Sequence, residues 1–216
     1  MTDARDLSEL NETRPQRSPT RLSAKARATR QRMIECAEAL ILEDGVEALS
    51  MERVAQRAEM SKGAVMYHFK TKRALLKALV ESYAEHLETR LQEAEAAVSV
   101  AGESPDEQFI PAYIQWFRTF EVNNHGWADI GLALLALKVR DPELLEPVRA
   151  WYRKTFARVA AMPEDRRGVT LVAMMALEGF FYTHKFGLDL MSEKEKSHSL
   201  KLIATLAKSR LDATER

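Results

Sequence analysis

The strongest indication of the fold lies at residues 50–76, which read SMERVAQRAEMSKGAVMYHFKTKRALL. Ser50, Ser61 and Thr71 each suit a helix N-cap, because a short side-chain oxygen accepts a hydrogen bond from a free N–H of the first turn. Apolar residues recur at helical spacing between these caps. The stretch therefore predicts two short helices joined by a turn at residues 58–61, followed by a third helix.

Two helices this short are marginal alone, so we expect them to pack on each other and on a preceding helix. That arrangement is a helix-turn-helix, in which the second short helix enters the major groove of DNA. The start of the second helix, Ser61-Lys62-Gly63, suits this task, since free N–H groups and the helix dipole favour a phosphate.

The run SKGAVMYHFKTKRALL, at residues 61–76, resembles the signature of the TetR family of bacterial transcriptional repressors. In that family the recognition helix ends in a Tyr-His-Phe or Tyr-x-His-Phe turn followed by Lys. The resemblance implies a dimer that binds a palindromic operator and is released by a small molecule. One departure is the turn at residues 58–61, which reads Ala-Glu-Met-Ser where the family often has Ala-Gly-Val-Ser. A non-glycine residue adopts the left-handed conformation there at a modest cost, and it places an acid near DNA.

The residues predicted to contact DNA divide by chemistry. Chemistry and matching motif positions both assign phosphate contacts to Lys62, Tyr67, His68 and Lys72. Base-edge contacts are predicted for Ser61, Ala64 and Met66, since the last two can touch a thymine methyl. An alternative for His68 is donation of its ring N–H to the backbone within the turn. The complete predicted set is Ser50, Ser61, Lys62, Gly63, Ala64, Met66, Tyr67, His68 and Lys72.

Composition limits the class of protein. The chain has 216 residues, 46% apolar and 30% charged, and strand signals are almost absent, which predicts an all-α protein. Net charge is zero, yet residues 14–73 carry 13 Lys and Arg against 7 Asp and Glu. This local positive excess is the electrostatic footprint expected of a nucleic-acid domain. The single cysteine, Cys36, fits a reducing compartment and is interpreted as a small buried residue.

Three segments are predicted. Residues 1–24 are polar and are expected to be a disordered tail, either simply solvated or a basic arm that lies on phosphates or in a minor groove. Residues 25–71 form the helix-turn-helix DNA-binding domain. Residues 72–212 form a larger helical domain for ligand binding and dimerisation, which the long fourth helix, from about Lys72 to Val98, joins to the first unit.

The larger domain contains several predicted helices. Apolar periodicity and capping signals place one ending near Asn123, one at Trp127–Val139, one from the N-cap Asp141 to about Met162, one at Glu164–Gly187, and a last one behind a capping box of Ser192 and Glu195. The segment VTLVAMMALEGFFYTH, at residues 169–184, is apolar on almost every side. A second copy packed against the last two helices would cover it. The alternative is an ordinary monomer core.

The family resemblance also implies an inducer site in this domain. An aromatic and Met-rich lining suits a planar or hydrophobic ligand, with a few polar groups supplying contacts. The alternative is that these residues are ordinary core. The predicted lining residues are Trp116, Phe120, Trp127, Phe156, Met174, Met175, Glu178 and Phe181, with His125 and His184 as further polar candidates.

An enzyme is not indicated. The sequence contains no metal-spaced Cys/His cluster, no Gly-rich phosphate loop after a strand and no ordered nucleophile, so we predict no catalytic residue, metal or cofactor. No apolar run is long enough for a membrane span and no signal peptide opens the chain, which predicts a cytoplasmic protein. A helical protein-interaction scaffold without sequence-specific DNA binding is the alternative function. The residues do not separate a repressor from an activator.

Overall fold

The computed structural model describes residues 23–122, 125–186, 188 and 190–208, and this part of the chain is all-α, as predicted. Most of the predicted tail therefore lies outside the described residues. Short 3₁₀ turns occupy Val46–Ala48 and Pro142–Leu145. The α-helices are α1 (Ala24–Asp44), α2 (Met51–Arg57), α3 (Lys62–His68), α4 (Lys72–Val98), α5 (Pro105–Val122), α6 (His125–Leu135), α7 (Leu137–Arg140), α8 (Glu146–Ala160), α9 (Glu164–Lys185) and α10 (Glu193–Lys208).

The three predicted N-caps are confirmed. The side-chain oxygens of Ser50, Ser61 and Thr71 accept hydrogen bonds from backbone N–H groups three residues later, at 3.2, 3.1 and 3.1 Å. Each cap satisfies one donor that the first turn of its helix leaves free. The helices α2, α3 and α4 therefore begin where short polar side chains stand in the sequence.

The connections in this unit depend on two residues with positive φ. Gly45 ends α1 at φ 80°, and its N–H donates to the carbonyl oxygen of Ile41 at 2.8 Å. Glu59 adopts φ 55° in the turn between α2 and α3, the left-handed conformation that the departure from glycine predicted. The turn is closed by the N–H of Met60, which donates to the carbonyl oxygen of Ala55 at 2.9 Å.

Burial holds the two short helices in place. Val54 of α2 and Val65 of α3 are fully buried, and Phe69, just after α3, is 2% exposed. They belong to one core with α1 residues such as Ile34. The Arg30 guanidinium lies 5.0 Å from the centre of the Phe69 ring, which adds a cation–π contact between α1 and the end of α3. Tertiary packing thus supplies the stability that seven-residue helices lack.

Helix α4 belongs to both parts of the molecule. It packs against α1 in the first unit and against α5, α6 and α8 in the second. Its buried residues run along its length, from Leu75 to Ala94. At Gly131 of α6 the approach is so close that a Cβ atom would lie 2.2 Å from the hydroxyl oxygen of Tyr83 in α4. Since α6 also packs against α1, it contacts both the first unit and its connecting helix.

One prediction for the larger domain is wrong and another is confirmed in part. The expected helix Trp127–Val139 is divided, because α6 ends at Leu135 and the N–H of Ala136 bonds to Ala133 at 3.2 Å in a tighter, 3₁₀-type turn. Asp141 is an N-cap followed by Pro142 and the acidic Glu143, as predicted, but its side chain makes no capping hydrogen bond. Its carboxylate instead accepts hydrogen bonds from Arg73 of α4, a 3₁₀ turn follows, and α8 begins only at Glu146.

The capping box of α10 is confirmed. The Ser192 N–H donates to the Glu195 carboxylate at 2.8 Å, and the Glu195 N–H donates to the Ser192 hydroxyl at 3.3 Å. This reciprocal pair starts the last helix where the sequence indicated. Within the described ranges, none of the helices combines the length and apolarity needed to cross a membrane.

One carboxyl group lies between α1 and α4. The Ser82 hydroxyl of α4 donates to the Glu38 carboxylate of α1 at 3.3 Å. Burial, only partly offset by this hydrogen bond, raises the pKa of Glu38 from 4.5 to about 7. In the unfolded chain the carboxyl ionises near pH 4.5, so the folded state binds the proton more tightly. The free energy of unfolding therefore falls as the pH rises from about 4.5 to 7.

We predict that Glu38→Gln becomes more stable relative to the unmodified protein as the pH rises from about 5 to about 8, because glutamine carries no charge to bury. Urea unfolding midpoints at the two pH values measure this change. Glu85→Gln, at an exposed position of α4, is the matched control and should keep the pH dependence of the unmodified protein. Parallel pH profiles for all three proteins would contradict the prediction.

Candidate functional sites

Helix α3 has one buried and one exposed face. Val65 is fully buried, whereas Met66 and Tyr67 are 41% and 69% exposed. The other predicted DNA-contacting residues are exposed or partly exposed: Ser61, Lys62 and Gly63 are exposed, and Ser50, Ala64, His68 and Lys72 are partly exposed. An exposed aromatic and an exposed methionine on a seven-residue helix leave side chains free to reach the edges and backbone of a duplex.

Acidic residues accompany the cations of this face. Lys62 forms an ion pair with Glu52 of α2, and the Lys62 ammonium group holds the pKa of Glu52 below its ordinary value. A carboxylate oxygen of Glu59, in the turn, lies 3.6 Å from a guanidinium nitrogen of Arg32. Sequence analysis missed Glu52, because its proximity to Lys62 depends on how α2 crosses α3. Both ion pairs are exposed, so they stabilise the free protein little and are readily exchanged for phosphate.

The predicted phosphate-contacting residues lie close together. The Tyr67 and His68 rings are edge to face with centroids 5.2 Å apart, and the Lys70 ammonium group lies 5.8 Å from the Tyr67 ring centre. At the start of α4, the Lys72 ammonium group donates to the Glu47 carbonyl oxygen at 3.4 Å. The role of His68, phosphate contact or donation within the turn, stays a prediction.

An ion-pair network connects this unit to the larger domain. Arg73, next to Lys72, donates to both carboxylate oxygens of Asp141 at 2.6 and 3.2 Å and to Glu143 at 3.0 Å. Arg140 donates to the Glu47 carboxylate at 2.6 Å. The Arg73 guanidinium holds the pKa of Asp141 below its ordinary value. The end of α7 and the turn after it are thus tied to the start of α4, close to Lys72.

A second cluster lies within the larger domain. Glu178 of α9 accepts a hydrogen bond from the Tyr113 hydroxyl of α5 at 2.7 Å and another from the Tyr152 hydroxyl of α8 at 3.0 Å. Burial raises the pKa of Glu178, and the two tyrosine hydrogen bonds oppose that rise. Trp116 and Trp151, both 5% exposed, stack beside the tyrosines with ring centroids 5.6 Å apart. We call these five residues the Glu178 cluster.

The structure brings together only some of the predicted ligand-lining residues. Trp116 and Glu178 belong to the cluster, and the Phe156 ring lies 6.5 Å from that of Tyr152. Phe181 is partly buried, and its ring meets Tyr182 at 5.4 Å. Met174 is fully buried, whereas Met175 is 52% exposed. The side chains of Phe120, Trp127, His125 and His184 lie outside the described residues.

Tyr113, Trp151 and Tyr152 were not among the predicted lining residues. Helical spacing places Tyr113 and Trp116 on one face of α5, but only the packing of α5, α8 and α9 brings them to one carboxylate. The available signal was Glu178 itself, the one acidic residue of the apolar segment at residues 169–184. A buried carboxylate needs donors, and tyrosines in facing helices are the nearest source.

Helices α9 and α10 expose an apolar surface. A groove of about 260 Å³ between them is lined by Gly168, Val169, Val172, Ala173, Ala176, Ile203 and Leu206. Large side chains along the same helices remain exposed, among them Val172 at 68%, Met175 at 52% and Leu202 at 51%. Contiguous exposed apolar surface of this kind is typical of a protein interface.

Two family models match the chain, one on each side of the α4–α5 connection. Residues 33–79 match the model described as bacterial regulatory proteins, tetR family, and residues 107–208 match the model described as tetracyclin repressor-like, C-terminal domain. The chain belongs to the TetR family. It therefore contains the helix-turn-helix unit of that family, as the sequence motif predicted.

The curated TetR-family relatives match one part of the chain. The HTH-type transcriptional regulator SrpR and the uncharacterised HTH-type regulator TtgW, both of Pseudomonas putida, are each 35% identical over 66 residues, or 31% of this chain. The match spans 49% of TtgW and 31% of SrpR, so this chain covers half or less of each relative.

Solved structures share the TetR-family fold over most of the chain. A TetR-family member from Streptomyces coelicolor A3 is 22% identical, with a TM-score of 0.63 over 81% of this chain and 97% of that one. The multidrug binding protein EbrR, complexed with imidazole, is 20% identical, with a TM-score of 0.60 over 85% and 97%. At these identities the likeness establishes the fold alone.

We predict that Asp141→Asn widens the range of positions that the helix-turn-helix unit takes relative to the larger domain. The melting temperature should not fall measurably, because the Arg73–Asp141 pair is exposed. Spin labels at Gln56 and Ala150, introduced into a Cys36→Ser background, report the distance between the two parts. The distance distribution should broaden in Asp141→Asn. Asp106→Asn, on α5, is the control, and an unchanged distribution in both variants would exclude a restraining role for the pair.

Proposed function

We propose that this regulator is a ligand-responsive repressor that binds a palindromic operator as a homodimer and is released by a small hydrophobic or aromatic molecule. The observation that carries the proposal is the shared use of α4. This helix begins beside α3, whose exposed face is predicted to bind DNA, and it packs against α5 and α8, the helices whose tyrosines bond Glu178. Burial, with a smaller contribution from the nearby Glu178 carboxylate, raises the pKa of Tyr83.

The apolar surface of α9 and α10 supports dimerisation. Val172, Met175 and Leu202 are each more than half exposed in the single chain, although large apolar side chains are usually buried. A second copy would cover them as a four-helix contact with two-fold symmetry. Two α3 helices related by that axis would reach half-sites roughly 34–36 Å apart, about one turn of duplex.

The comparison with EbrR supports a small-molecule ligand in the larger domain. That protein has the same fold, and its structures hold imidazole and malachite green, both aromatic compounds. In this chain the corresponding chemistry is the Glu178 cluster, where two tyrosines bond one carboxylate and two tryptophans pack beside the tyrosines. Such a lining suits an aromatic molecule.

The proposed mechanism is a shift between two populations. One arrangement of the dimer holds both α3 helices at the separation that the operator requires, and the ligand favours another. Operator affinity then falls by the ligand's differential affinity for the two states and by no more. The contacts that would transmit the shift are the α4–α6 contact at Gly131 and the ion pair between Arg73 and Asp141.

The decisive experiment is selection of bound sequences from a random duplex pool. We predict that the pool converges on a palindrome, because a two-fold dimer reads the same bases twice. Val172→Glu places a charge in the α9–α10 surface and should yield a monomer that binds the selected duplex weakly.

Val100→Glu is the matched control for this experiment, since Val100 is 53% exposed between α4 and α5. It should leave the oligomeric state, measured by light scattering, and duplex binding unchanged. Recovery of no common sequence at low salt would favour a helical interaction scaffold and contradict the proposal. A monomeric unmodified protein would contradict its dimeric form.

A second prediction concerns phosphate contact at the start of α4. Lys72→Ala should weaken binding to all duplexes and flatten the slope of log affinity against log salt by about one unit, because one phosphate contact is lost. Binding isotherms at several salt concentrations measure the slope. Lys77→Ala is the control, since Lys77 lies farther along α4 and 3.8 Å from Glu81. A loss confined to one base position, with the slope unchanged, would rule out the phosphate role.

A further inference from the structure

Glu178 is an unusual group for its position. It is the one Asp, Glu, Lys or Arg within residues 169–184, and α9 presents it to α5 and α8. Its two carboxylate oxygens accept one hydrogen bond each, from Tyr113 and Tyr152. A carboxylate offers about four acceptor positions, so the two hydroxyls occupy about half of them.

No basic side chain of the described residues forms an ion pair with Glu178. The cations of the neighbouring helix α8 are paired elsewhere on the surface. Lys154 pairs with Glu88 at 2.6 Å, and Arg158 pairs with Glu95 at 2.6 Å. The carboxylate therefore depends on neutral hydroxyls alone, and burial disfavours its charged form.

Aromatic rings form a continuous column beside this carboxylate. The centroids of Tyr113 and Trp116 lie 4.8 Å apart, those of Trp116 and Trp151 5.6 Å, and those of Trp151 and Tyr152 4.9 Å. The column begins and ends with the two tyrosines that bond Glu178. Its indole nitrogen at Trp151 is buried and has no hydrogen-bond acceptor within the described structure. A buried donor without an acceptor is uncommon in a packed protein core that serves stability alone.

We propose that the Glu178 cluster is the recognition site for an organic cation that carries flat aromatic groups. The inference rests on the proposed function, because it names the ligand class of the same domain. A cation lying between the carboxylate and the rings gains an ion pair with Glu178 and cation–π contacts with the tryptophan and tyrosine faces. Its aromatic groups stack on the column.

The same geometry disfavours other ligand classes. An anion would meet the carboxylate and the negative faces of the rings, and both repel it. A neutral aromatic molecule would stack on the column but leave the carboxylate with the two tyrosine hydroxyls alone. Charge selectivity is therefore the property that distinguishes this site from an ordinary aromatic core.

Access lies at the seam between α8 and α9. Tyr152 and Glu178 are partly buried, whereas Tyr113 is fully buried, so the Tyr152 end of the column is the one nearest the surface. A cation that enters there must separate the Tyr152 hydroxyl from Glu178. Because α8 and α5 both pack against α4, this separation alters the packing of the helix that leads to α3.

The test uses two ions of nearly identical shape and opposite charge, tetraphenylphosphonium and tetraphenylborate. Equilibrium dialysis against the full-length protein gives the two affinities, and quenching of the three tryptophans provides a second readout. We expect tetraphenylphosphonium to bind about tenfold or more tightly. Equal binding, or tighter binding of tetraphenylborate, would overturn the inference.

The variant Glu178→Gln keeps the size of the side chain and removes its charge. It should lose about tenfold or more in affinity for tetraphenylphosphonium and retain affinity for neutral triphenylphosphine oxide. Glu103→Gln, an exposed position between α4 and α5, should change neither affinity. A melting curve checks that each variant is folded. The matched ions test the unmodified protein, so the inference stays falsifiable if Glu178→Gln does not fold.

A final arm separates this inference from the proposed function. Tetraphenylphosphonium should weaken binding of the unmodified protein to the duplex obtained by selection, and it should have less effect on Glu178→Gln. If the protein binds the duplex but does not prefer tetraphenylphosphonium to tetraphenylborate, the proposed ligand class is wrong and the proposed function stands. Failure to bind any duplex would overturn the proposed function alone, because the dialysis measurement requires no DNA.

Discussion

The packing of two seven-residue helices against α1 and α4 is the constraint on which the molecule depends. Neither α2 nor α3 is long enough to be stable in isolation, so each must bury its apolar face in a neighbour. Val54, Val65 and Phe69 do this, and they leave the opposite face of α3 outside the core. Met66 and Tyr67, which face outward, are therefore available for the proposed DNA contact, because neither is buried in the core.

The same constraint makes α4 the link between the helix-turn-helix unit and the larger domain. Its first turns complete the core under α3, and its later turns form one wall of the second core. A movement of α5, α6 or α8 changes the packing of α4, and α4 cannot move without shifting the start of the helix beside Lys72. The Arg73–Asp141 contact ties the turn before α8 to that same point. The proposed coupling therefore requires no separate pathway, because one helix belongs to both cores.

Local signals predicted the first unit closely, whereas the second depended on contacts distant in sequence. Ser50, Ser61 and Thr71 indicate their helices because a cap is a bond between residues three apart. The break at Ala136 has no glycine or proline to indicate it. Asp141 is the N-cap that the sequence indicates, but no local signal shows that Arg73, 68 residues earlier, binds its carboxylate or that a 3₁₀ turn precedes α8. Exposed predicted contacts such as Tyr67 follow from motif and periodicity, but the Glu178 cluster requires three helices to be assembled first.

Two of the carboxyl groups that lie between helices, those of Glu38 and Glu178, share one physical character. Each accepts hydrogen bonds from hydroxyl groups of a neighbouring helix, Ser82 in one case and two tyrosines in the other. Breaking a buried ion pair costs about 3–5 kcal/mol. A hydrogen bond to a charged group contributes only about 1.5–3 kcal/mol, and a ligand can replace it. Helices held by hydroxyl–carboxylate bonds can thus separate at a free-energy cost that the binding of one ligand offsets. A regulator needs such a balance, because a ligand shifts an equilibrium by no more than its differential affinity.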